Sequence, residues 1–113
     1  MKKDDLVFLK HISEFIYCLE NIVKKIDEKN FFEEKIYQDA MIRNLELIGE
    51  AARNLSEVFK TKYPEIDWRK IIAMRNILIH EYFDTDLETI WITVNEDIPE
   101  LKEKIIKILN KLS

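Results

Sequence analysis

Arg75, Asn76, His80 and Tyr82 stand close together in an otherwise apolar stretch, Met74-Arg75-Asn76-Ile77-Leu78-Ile79-His80-Glu81-Tyr82-Phe83. Arginine brings a permanent cation whose planar fork of donors suits a phosphate. Histidine titrates near neutrality and can both take and return a proton. A helix that only had to pack would need neither, so this stretch reads as the active site. Asn76 and His80 are four apart, on one helical face, where the amide can orient the imidazole. Arg75 and Tyr82 are seven apart and share nearly one line. Arg75 and His80, five apart, point about 140° away from each other on an ideal helix. They converge only if the helix end distorts or if two chains meet, and broad apolar faces favour the second, a homodimer. Each residue alone has an ordinary role: Arg75 pairing with an acid, His80 capping a helix, Tyr82 packing at a rim.

The elements that must position these residues are helical. One glycine and two prolines are too few for a many-stranded sheet, and Leu, Ile, Glu and Lys are abundant. A first helix is expected from Asp4 or Asp5 to the region 24–28, with Leu9, Ile12, Ile16, Leu19, Val23 and Ile26 as its core stripe. A second long helix begins near Asn30-Phe31-Phe32. It carries Met41, Leu45, Ile48, Ala52, Leu55 and Phe59 and ends at Tyr63-Pro64. Gly49-Glu50-Ala51-Ala52 within it suggests a tight helix crossing, with Glu50 as a supporting partner for a cation such as Arg75. Asp67 caps a third helix running from Trp68 to Tyr82. Thr85-Asp86-Leu87-Glu88 reads as a capping box opening a fourth, and Pro99 marks a break before a last segment that is a separate or kinked helix.

The 113 residues fit one domain, 1–113, and the balance of 47% hydrophobic and 35% charged residues suits a globular bundle. A net charge of −4 argues against a general nucleic-acid clamp but permits one or two cations in a cleft. Cys18 has no companion for a disulfide or a zinc site. Asp4, Asp5, Lys10 and Glu14 interrupt any signal-like run, and no stretch is apolar enough to span a bilayer, so a cytoplasmic protein with no membrane partner is expected. Asp84-Thr85-Asp86 has nucleotidyltransferase spacing without the accompanying Gly-Ser loop and strands. His80, Glu81, Asp84 and Asp86 fit neither a helical zinc pair nor a calcium loop, so no metal is expected.

The spacing R-x4-H-x-Y of Arg75, His80 and Tyr82, with Asn76 after the arginine, resembles the signature of the HEPN superfamily. Leu45 to Ala52, Trp68 to Ile72, Met74 to Phe83 and Trp91 to Pro99 resemble the HepT toxins of HepT/MntA toxin-antitoxin pairs, a likeness spanning nearly the whole chain. The resemblance implies an all-α antiparallel bundle of four to five helices, homodimeric, with a cleft on the two-fold axis. It implies a metal-independent endoribonuclease, without cofactor, in which Arg75 and His80 are catalytic. It also implies a partner, an MntA-like minimal nucleotidyltransferase antitoxin that transfers AMP onto Tyr82. RNA, not DNA, would be the substrate, because only RNA carries the 2′-hydroxyl nucleophile. The alternative is a non-catalytic HEPN module that binds a nucleotide or a partner nucleotidyltransferase through the same cleft.

Overall fold

Leu9, Ile12, Ile16 and Leu19 recur at steps of three and four and are all buried, which fixes the inward face of the first helix. In a computed structural model, which describes residues 3–80 and 86–112 and their side chains except those of Lys3, Ile79 and His80, this helix is α1, Lys3–Lys25. Val23 and Ile26, expected on the same stripe, are only partly buried against the core. The chain then forms α2 (Glu28–Glu33), α3 (Lys35–Asn54), α4 (Glu57–Lys62), α5 (Trp68–His80), α6 (Leu87–Ile92), a π-helical turn (Thr93–Asp97) and α7 (Ile98–Leu112). The fold is an all-α bundle, with no strand among the described residues. Helix α3 lies at its centre, packed on one side by α1 and on the other by α5, while α7 closes against α1.

The second long helix expected from the sequence is divided twice. Asp27 caps α2, its carboxylate accepting from the Asn30 N–H at 2.8 Å. Glu34 then leaves the helical region (φ −118°, ψ 112°), and Gln38 Nε2 donates to the Phe31 carbonyl at 2.9 Å, tying the end of α2 to α3. At the other end Leu55 is extended and Ser56 starts α4, its hydroxyl accepting from the Phe59 N–H at 3.2 Å. Asp5, 1% exposed, secures this corner by accepting from the Ser56 N–H at 2.8 Å and the Ser56 hydroxyl at 2.7 Å. Leu55 and Phe59 are both buried, so the apolar spacing runs on across a break made by hydrogen bonds.

The fourth helix, α6, is capped by Asp86; Thr85, expected to open the capping box, lies outside the described residues. The Asp86 carboxylate accepts from the Glu88 N–H at 3.0 Å and the Thr89 hydroxyl at 3.1 Å. Of the two arrangements expected at Pro99, a separate or a kinked helix, the structure has no separate helix. A proline has no N–H and its ring crowds the carbonyl four residues back. The turn before it widens, the Ile98 N–H reaching the Thr93 carbonyl five residues back, and the helix continues into α7. Asn95 Nδ2 donates to the Trp91 carbonyl at 2.9 Å within the same turn. No helix among the described residues is long and apolar enough to cross a membrane.

Candidate active site

Helix α5 is set at both ends of its first turn. Asp67 accepts from the Lys70 N–H at 3.0 Å, and the buried Trp68 indole donates from Nε1 to the Tyr63 carbonyl at 3.0 Å. Further along, α5 meets α3 at Gly49. A Cβ there would fall 2.1 Å from Arg75 Cβ and 3.1 Å from the Ile71 carbonyl oxygen. Only a glycine lets the two helices touch at this point, which offsets the helix propensity it gives up.

That contact brings Arg75 onto the residue after the glycine. Arg75 Nη2 lies 2.9 Å from Glu50 Oε2, with the arginine side chain 20% exposed. It is a charge pair and not a directed hydrogen bond: Glu50 Oε2 and Arg75 Nε are both buried with no hydrogen-bond partner among the described residues. A buried guanidinium N–H without a partner is costly. Glu50 also faces Arg53, whose Nη2 is 3.4 Å from Oε1, and Asn54, whose Nδ2 donates to the Glu50 carbonyl at 3.0 Å. One carboxylate thus stands between two guanidinium groups. The sequence signal for Arg53 is its i, i+3 placement from Glu50 on α3.

Asn76, expected to orient His80, has its Oδ1 accepting from Arg75 Nη1 at 2.8 Å. The amide therefore steadies the arginine. His80 is the last residue of α5, and its side chain is not among those described. Tyr82 lies outside the described residues, as do Glu81 and Asp84. The backbone of α5 is α-helical through His80, so no distortion there shortens the five-residue offset between Arg75 and His80. On its other flank α5 borders a groove of 540 Å³ lined by Ile71, Met74, Ile77 and Leu78 with Ile90 and Leu101 across from them. Ile77 is 53% exposed there. Among the described residues no three His, Cys, Asp or Glu side chains gather as a metal site would require.

The chain is a helical bundle that holds an arginine at a helix crossing, five residues before a histidine, and its relatives give it a family. The profile described as "Ribonuclease HepT-like" matches residues 12–108, and the chain belongs to this HepT-like family. It is 44% identical to "Probable ribonuclease HepT" of Thermococcus cleftensis over 96% of this chain and 98% of that protein. It is 46% identical to "Gamma-glutamylcyclotransferase and putative RNase MJ0434" of Methanocaldococcus jannaschii over 99% of this chain, and spans 50% of that longer protein. No solved structure gives a significant match.

Proposed function

We propose that the chain, as one domain over 1–113, is the toxin of a HepT/MntA-type pair and cleaves RNA without a metal, using Arg75 and His80. The observation that carries this is the seating of Arg75. Its guanidinium is held at the rim of the α3–α5 crossing by Glu50 and Asn76, with Nε buried and without a partner among the described residues. A cation fixed in this way loses little freedom on meeting a phosphate, and it acts where charge grows in the transition state.

The reaction balances with groups of these types. His80 takes the proton of a ribose 2′-hydroxyl, the 2′-oxygen attacks the adjacent phosphorus, and the bond from phosphorus to the 5′-oxygen breaks. The leaving oxygen takes up a proton from an imidazolium, giving a 2′,3′-cyclic phosphate and a 5′-hydroxyl. Arg75 neutralises the extra charge on the non-bridging oxygens. Because α5 stays helical through His80, an Arg75 of one copy and a His80 of another are the pair best able to converge, and the apolar groove along α5 favours a homodimer that covers it.

Tyr82 is the regulatory position in this reading. AMP transferred to its hydroxyl by an MntA-like nucleotidyltransferase places a phosphate and a nucleoside near Arg75, in competition with the RNA backbone. The test is cleavage of single-stranded RNA in chelator by wild type, His80→Ala and Arg75→Ala, with circular dichroism showing all three folded and mass spectrometry showing Tyr82 unmodified. Wild type cleaves and each variant loses about 10²–10⁴-fold in rate. Intact RNA in every lane overturns the nuclease in favour of a binding module.

A further inference from the structure

The mechanism above uses Arg75 and leaves Arg53 unemployed. Glu50 nevertheless holds both: Oε2 sits 2.9 Å from Arg75 Nη2 and Oε1 sits 3.4 Å from Arg53 Nη2. The two cations are thus separated by the width of one carboxylate, and the cluster carries a surplus positive charge on a chain whose net charge is −4. Exposure rises across it, from 20% for Arg75 through 38% for Glu50 to 55% for Arg53. The inner arginine is anchored and the outer one faces solvent.

Arg75 and Arg53 face the two oxygens of one carboxylate, so a strand whose scissile phosphate is held by Arg75 can bring a neighbouring phosphate to Arg53. A guanidinium held loosely by one carboxylate oxygen can turn a face to that phosphate while Glu50 keeps the other.

We infer that Arg53 is a substrate-binding residue, holding the RNA phosphate next to the scissile one. This rests on the nuclease reading of Arg75 and His80, and it extends the site to a stretch of strand at least two phosphates long. Glu50 then has two duties: it fixes Arg75 for the reaction and keeps Arg53 within reach of the same strand.

The experiment compares wild type, Arg53→Ala and Arg53→Lys on a single-stranded trinucleotide and on a dinucleoside monophosphate, which has only one phosphate, across a range of salt. On the trinucleotide Arg53→Ala raises KM about tenfold with kcat little changed. It also flattens the slope of log affinity against log salt by about 0.7, the loss of one single-strand phosphate contact. Arg53→Lys restores the slope and part of the affinity. On the dinucleoside monophosphate the KM ratio collapses toward one. If Arg53→Ala impairs both substrates alike, Arg53 acts only by steadying Glu50 and Arg75, and the inference fails. The same holds if the trinucleotide KM and the salt slope do not move. Should wild type leave all RNA intact, the nuclease reading is what fails. The salt slope for trinucleotide binding to the Arg53→Ala and wild-type chains then decides Arg53 by itself.

Discussion

Helix α3 meets two neighbours in opposite ways. Its crossing with α1 is built from large apolar side chains, with Leu9, Ile12, Ile16 and Leu19 of α1 all buried. Its crossing with α5 is built on a glycine, with a charge pair beside it and two buried polar atoms left without hydrogen bonds. The first arrangement is what stability alone selects: burial of each such side chain contributes about 1.5–3 kcal/mol. The second holds a cation partly out of water, an expensive way to make a contact. Polar groups retained at such cost mark the place where the bundle does something other than fold.

Two substitutions separate these roles. Leu9→Ala leaves a cavity at the α1 crossing and costs about 2–5 kcal/mol of stability, read as the urea midpoint. Leu9 is a core residue of α1 and no part of the α3–α5 crossing, so RNA cleavage per folded molecule stays at the wild-type rate. Gly49→Ala acts in the other direction. The new Cβ cannot sit 2.1 Å from Arg75 Cβ, so α5 must move off α3. Overpacking of this kind costs about 1–3 kcal/mol, and the gain in helix propensity returns about 1 kcal/mol. The net loss of stability is therefore smaller than for Leu9→Ala, while cleavage falls about 10²-fold, since misplacing a catalytic group by an ångström has that effect. Gly49→Ala protein that cleaves at full rate would show that the close approach serves packing alone.

The contrast between the two crossings also explains what could be read from the chain. The stripes of α1 and α3 and the capping aspartate before α5 were legible because burial and spacing coincide there. The breaks at Glu34 and at Leu55-Ser56 were not, since Ile48, Ala52, Leu55 and Phe59 keep a core spacing through a corner that Asp5 and Ser56 make. A contact between positions 5 and 56 has no trace in local sequence. Asp86 is the N-cap of α6, its carboxylate accepting from both the Glu88 N–H and the Thr89 hydroxyl, while Thr85 lies outside the described residues. Pro99 marked the place of a disturbance and left open a separate or a kinked helix; a widened turn takes it up and the helix continues. At the site, Gly49-Glu50 and the run from Arg75 could each be singled out. That Arg53 and Asn76 both turn to the same ion pair depends on the helix crossing and needed coordinates.

A charge pair elsewhere sharpens the comparison with the smallest expected effect. Glu20 of α1 accepts a hydrogen bond from Lys102 of α7, with Lys24 3.8 Å away. The Lys102 hydrogen bond holds the Glu20 carboxyl below its ordinary value of 4.5; burial opposes this, and the charges of Lys102 and Lys24 reinforce it. A carboxylate whose folded value is depressed stabilises the protein fully above its ordinary value and loses that contribution as pH falls through the folded one. Lys102→Ala therefore costs about 0.2–1 kcal/mol at neutral pH, as partly exposed pairs do. The gap between variant and wild-type urea midpoints closes below the carboxylate range, and it narrows in high salt. A gap that persists in acid would mean the lysine stabilises through its aliphatic stem lying on the helix surface, not through its charge. Either way cleavage is untouched, whereas neutralising Glu50 releases two arginines that the α5 crossing was built to hold. The two glutamates differ less in their bonds than in what their lysine and arginine partners are free to do once held.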